Sequence, residues 1–135
     1  MRALLAALPL LLVACGTTPT PTESAGPPET ILAPEAVLPS AGPARVLVKR
    51  DSGFVAAACR HVVMLDGRPI AQLLHGQAVT IHTQPGRHIV GVKATPFLCG
   101  NPIIETEVVA DAARPTVLRI STDSAGSIKL SPTAY

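Results

Sequence analysis

From residue 45 to the end of the chain, apolar and polar side chains alternate in short runs, and the runs are divided by turn residues. A period of two puts alternate side chains on one face of a pleated strand. The pattern predicts strands at 45–50, 60–66, 70–74, 77–84, 87–95, 102–110, 116–122 and 127–131. No helical period persists in this region without a Gly or Pro break. Asp66-Gly67 supplies two residues that tolerate positive φ, as a tight hairpin needs. Gln84-Pro85-Gly86-Arg87 has Pro and Gly at the positions a type II turn requires. A two-residue loop at Pro85-Gly86 would pair Thr83 with His88, Ile81 with Val90 and Val79 with Val92, with the aliphatic residues on one face. Asp123-Ser124-Ala125-Gly126 fits a longer hairpin loop. Pro69 cannot donate to a ladder, which leaves the strand after Asp66-Gly67 ambiguous. Short strands with turns roughly every ten residues predict an all-β fold, a small antiparallel β-sandwich of about seven or eight strands in preference to a barrel.

The first residues follow a different rule. Arg2 precedes an apolar run, Ala3 to Val13, that is too short to span a hydrocarbon layer of ~30 Å. A basic residue, an apolar stretch and then small residues form a secretory signal. The alternative is a buried N-terminal helix ending in a core cysteine. Leu12-Val13-Ala14-Cys15 resembles the lipobox of bacterial lipoproteins. The resemblance implies that residues 1–14 are a signal peptide removed before Cys15. It also implies a diacylglyceryl group on the Cys15 sulfur and a further acyl chain, such as palmitate, on the new N-terminus. Gly16 follows where an Asp would commonly retain such a protein in the inner membrane. The expected location is therefore the cell envelope, and Gly16 favours the outer membrane, facing the periplasm.

Residues 16–43 hold seven of the fourteen prolines, three Glu and no Lys or Arg. Such a composition buries little apolar surface against its ordering entropy. With Cys15 it reads as a disordered tether, 15–43, spanning ~30 Å as a flexible coil. The alternative is that Ile31, Leu32, Val37 and Leu38 dock a strand on the domain. Residues 44–135 form the folded domain, small enough for its core to need help. If Cys15 carries lipid, as the lipobox implies, Cys59 and Cys99 remain to pair in an oxidising compartment. Two separately buried thiols are the other possibility. The bridge would close a loop worth up to ~4 kcal/mol in the chain-entropy view.

A second resemblance rests on Asp66-Gly67, Gly76, and Pro85-Gly86 with His88 leading into Val90-Gly91-Val92. This series is similar to small periplasmic domains of the PEGA and transthyretin-like type, and to bacterial lipoproteins of unknown function with the same hairpins. It covers about 60–95, with Gly86 directly after Pro85 where the PEGA motif has Glu. It implies a prealbumin-like sandwich and carries over no catalytic residue.

Candidate chemistry is sparse. His61, His75, His82 and His88 have no metal-ligand spacing and read as exposed or rim histidines. The expected hairpin puts His82 and His88 on opposite faces. No metal and no cofactor is expected. Ser52, Ser121, Ser124 and Ser127 lack the sequence setting of a nucleophile. Glu105 and Glu107 share a strand face, which suits a carboxylate pair but equally a solvated outer face. The folded part has ten Lys or Arg against six Asp or Glu, a balance of +4, without a basic run. With only Phe54, Phe97 and Tyr135 as aromatics, stacking on nucleic acid or glycans is disfavoured. Phe97 and Leu98 lie beside the expected disulfide, either as an apolar contact loop or with Phe97 capping the core. The sequence thus predicts a lipid-anchored, non-enzymatic adaptor that binds another envelope protein, with no catalytic residues. A periplasmic inhibitor of an exported hydrolase is the alternative, and a small hydrolase using Glu105 or a histidine is the rival class.

Overall fold

The computed structural model describes residues 16–100 and 102–134. Cys15 and the signal segment lie outside the described residues, as does the side chain of Phe97. The strands are β1 (Thr30–Ile31), β2 (Ala44–Arg50), β3 (Arg60–Leu65), β4 (Arg68–Leu73), β5 (Ala78–Thr83), β6 (Gly86–Thr95), β7 (Ile103–Ala110), β8 (Thr116–Thr122) and β9 (Ile128–Pro132). They form two sheets, in the orders β1-β4-β3-β6-β7 and β5-β2-β8-β9. The fold is an all-β sandwich with one disulfide, Cys59–Cys99. Among the described residues, all strand-to-strand pairings are antiparallel except β2 with β8, which run parallel.

The alternation of the sequence explains the core. Val63, Ala71, Val90 and Val92 face inward from the first sheet, and Val46, Val48, Val79, Ile81, Leu118 and Ile120 from the second. Burying each such side chain contributes roughly 1.5–3 kcal/mol. The Asp66-Gly67 hairpin forms as expected, with Leu65 opposite Arg68 and both turn residues at positive φ, 51° and 78°. Pro69 sits opposite Met64, where the register shifts between Val63 and Met64. That irregularity is how a residue without an N–H enters the sheet.

The Pro85-Gly86 hairpin is corrected. β5 pairs with β2, setting Val79 opposite Val48 and Ile81 opposite Val46. β6 pairs with β3, setting Val90 opposite Leu65 and Val92 opposite Val63. Pro85-Gly86 is therefore a corner between sheets. A hairpin and a corner share one local signature, a tight turn flanked by inward-facing aliphatics. Here those aliphatics share the core from opposite layers rather than side by side.

Residues 16–43 also depart from expectation, because the described part of the expected tether is fastened to the sandwich. Gly16 bridges Asp123, Thr18 bridges Ser52 and Gly26 bridges Gln77. β1 pairs with β4, and the next two backbone amides, Leu32 and Ala33, donate to Ile70. Short 3₁₀ turns at Pro34–Val37 and Pro39–Ala41 then cross to β5, with Ala33 and Ala36 in the core. The segment closes the seam between the edges of β4 and β5. Prolines restrict the unfolded chain, so ordering this stretch costs less than its polarity suggests. Gly42 shows how close it lies: a Cβ there would be 2.1 Å from the Thr83 carbonyl oxygen.

Candidate contact site

The loops divide between two ends of the sandwich. Residues 51–59, 74–77, 96–100 and 123–127 gather at one end, the disulfide pole, and the turns at 66–67, 84–85 and 111–115 lie at the other. At the disulfide pole the β2–β3 and β6–β7 loops are cross-linked by Cys59–Cys99, with an S–S distance of 2.04 Å.

Beneath them sits a buried polar framework. Position 50 is in phase with the inward-facing Val46 and Val48, so strand periodicity turns the Arg50 side chain into the protein. Its guanidinium donates to the carbonyls of Ala56, Cys59 and Leu73, at 2.7 Å to Ala56 and 3.0 Å to Leu73. Burial lowers its pKa to about 10. Asp51 is also buried, and its carboxylate accepts two-pronged hydrogen bonds from Arg119, the shortest at 2.7 Å, and one from the Thr17 hydroxyl at 2.8 Å. Lys49 Nζ donates to the Thr22 hydroxyl at 3.0 Å, and burial draws its pKa down. Thr20 donates to the Arg50 carbonyl at 3.1 Å. Residues 17–22 are thus tied to the end of β2 by polar bonds, and Arg50 holds the overlying loop in one shape.

His61 corrects the expectation of exposed or rim histidines. It is in phase with the inward Val63 and fully buried, and among the described residues both ring nitrogens lack a hydrogen-bond partner. Burial first, and the Arg50 charge second, lower its pKa to about 3, so the ring is neutral. His88 lies at the opposite pole. Its Nδ1 meets the Asp66 carboxylate at 2.7 Å, and that hydrogen bond raises its pKa. Burial pulls the Asp66 pKa up, but the bonds from His88 and from the Ile89 N–H outweigh it, and the carboxylate stays below its usual range. Among the described residues, no group of three or more His, Cys, Asp or Glu could hold a metal ion. Glu105 and Glu107 are exposed on β7 beside an open groove of about 440 Å³, which Asp66, Ile89 and Thr106 also line. Glu107 is 3.7 Å from Arg87.

Of the expected contact loop, Leu98 is 93% exposed. The structure adds a residue that sequence reasoning passed over: Phe54 is 100% exposed in the loop cross-linked to it. Its signal was a large aromatic in Asp-Ser-Gly-Phe, outside any alternating run. Arg50 was likewise legible from its phase with Val46 and Val48.

No protein-family model, curated protein or solved structure matches the chain. The functional reading therefore rests on the residues and their placement.

Proposed function

We propose that the protein is a lipid-anchored lipoprotein of the cell envelope that acts by contact with another envelope protein, without catalysing a reaction. The observation that carries the contact surface is β7. It is an eight-residue strand at the edge of the five-stranded sheet, and Ile103, Glu105, Glu107 and Val109 along it are all exposed. Edge strands offer unpaired backbone groups to an extended segment of a partner, and alternate side chains select it. The two glutamates favour a partner segment carrying basic residues. The paired charges support a structural rather than catalytic role, since the buried Arg50 and Asp51 and the half-buried Arg119 spend their hydrogen bonds on the fold. The lipobox at Leu12 to Cys15 supports the anchor, and Gly16 supports the outer membrane.

The test is site-specific photocrosslinking in native envelope membranes, with the photoreactive residue at Val109 or at Ile103. One envelope protein crosslinked from both positions, and lost when Glu105 and Glu107 are replaced by Lys, is the expected result. Crosslinks absent from β7 but present elsewhere on the sandwich would refute this surface. Metabolic labelling with a palmitate analogue tests the anchor, with label expected on the natural chain and absent from Cys15→Ala.

A further inference from the structure

The disulfide pole differs from the rest of the surface in kind. Residues 52–59, 74–77, 96–100 and 124–127 contain no Lys, Arg, Asp or Glu. The Asp123 carboxylate turns back onto its own loop, accepting from the Ala125 and Ser127 amides at 2.9 Å. Arg50 lies buried beneath this surface with its hydrogen bonds spent on the loop carbonyls, and the exposed cations Arg60 and Lys129 are the first and second residues of their strands, with Arg60 paired to Glu29 at 2.7 Å. The opposite pole carries Asp66, Arg68, Arg87, Asp111 and Arg114 in or beside its turns. Large apolar side chains exposed as fully as Phe54 and Leu98, on loops without charge, mark a surface built to be covered.

The path of the chain says what covers it. Gly16, the residue after Cys15, bridges Asp123 at this same pole. The Thr17 N–H donates to Thr122 at 3.1 Å, and a Cβ on Gly53, next to Phe54, would lie 3.5 Å from the Thr17 Cα and 3.7 Å from the Gly16 oxygen. Successive Cα atoms are ~3.8 Å apart, so one peptide unit separates the expected lipidated residue from the loop that carries Phe54. A lipid on Cys15 would thus be attached within one residue of this pole.

We propose that the disulfide pole is a membrane-contact surface, with Phe54 and Leu98 entering the headgroup–hydrocarbon boundary of the bilayer that holds the anchor. The inference rests on the lipid-anchored reading of Cys15. The disulfide and the Arg50 hydrogen bonds fasten the backbone of the loops that carry both side chains, which limits the ordering cost of insertion. A pole whose two carboxylates, Asp51 and Asp123, are bonded within the protein enters lipid through apolar area, so contact is insensitive to salt and to anionic lipid. The pole turned to the membrane leaves β7 upright, with Val109 farther from the lipid than Ile103.

The chain has no Trp, so one introduced Trp reports on one position. Phe54→Trp, Leu98→Trp and, at the opposite pole, Leu38→Trp are prepared as full-length lipidated protein. Each is reconstituted in phosphatidylcholine vesicles with doxyl-labelled acyl chains. Insertion to ~5–10 Å predicts blue-shifted emission at positions 54 and 98, quenched by lipid-borne doxyl at least about threefold more than at position 38. The same contrast in 0.5 M salt supports the proposal. Emission at 54 and 98 that stays water-like and open to acrylamide overturns it. A blue shift without doxyl quenching also overturns it, because a second copy or another protein then covers the pole. Mass spectrometry of the N-terminal peptide is read separately. A chain not acylated at Cys15 refutes the anchored reading, whereas acylated protein with water-exposed Trp refutes only the contact.

Discussion

Replacing Asp51 tests whether the N-terminal segment belongs to the fold. The Asp51 side chain is 1% exposed, and its carboxylate meets Arg119 Nε at 2.8 Å and a terminal nitrogen at 2.7 Å, and the Thr17 hydroxyl at 2.8 Å. Breaking a fully buried ion pair by removing one partner costs ~3–5 kcal/mol. The Arg119 side chain is 30% exposed, so water partly restores its hydration and the lower end applies. Asp51→Ala is therefore expected to destabilise by about 3 kcal/mol, and Thr17→Val, which loses the bond to the Asp51 carboxylate and the bond the hydroxyl accepts from the buried Thr122 N–H, by about 2 kcal/mol. In a double-mutant cycle with Arg119→Met, the Asp51–Arg119 coupling should reach about 1.5 kcal/mol. Urea unfolding of the purified protein, with the slope unchanged, measures all of these. A loss under about 0.5 kcal/mol for both Asp51→Ala and Thr17→Val would refute the reasoning, since residues 16–22 would then move independently of the sandwich.

Four further outcomes are expected. His61 titrates near 3 when folded and 6.5 when unfolded, so its burial favours folding fully above pH 6.5, and up to about 5 kcal/mol is lost as the pH falls toward 3; in His61→Leu this acid limb should flatten, with stability at pH 7 unchanged or raised, as seen by urea titration at several pH values. His88 has the opposite sign: its raised pKa gives stability present below pH 6.5 and lost as the pH rises through the folded value, and NMR titration should show that elevation removed in Asp66→Asn. Replacing Cys59 and Cys99 together by Ser should cost ~4 kcal/mol, from a sequence separation of 40 residues, measured by thermal and urea unfolding. Gly42→Ala must displace backbone, because its Cβ would meet the Thr83 oxygen at 2.1 Å, and a loss of at least ~2 kcal/mol is expected by the same assay.

The eight strands from Ala44 to Pro132 were legible because period-two alternation and Gly, Pro and Asp turns act locally. Which strands pair was less so. Pro85-Gly86 carries the same residues as a hairpin turn and as a corner, and only the competition of β2 and β3 for β5 and β6 decides between them. The docking of residues 16–43 was hidden because its bonds run to sheet edges and buried side chains, as with Thr17 on Asp51, rather than following an apolar pattern. Leu98 was marked by its setting beside Cys99. Phe54 joined it only when folding brought the two loops to one pole.

The most direct test of an anchored module seated on its membrane is neutron reflectometry of the full-length lipidated protein on a supported bilayer. The account predicts a protein layer that begins at the headgroups, with no water layer between. A hydrated gap approaching the ~30 Å of a free 28-residue coil would contradict it and return residues 16–43 to the role of a tether.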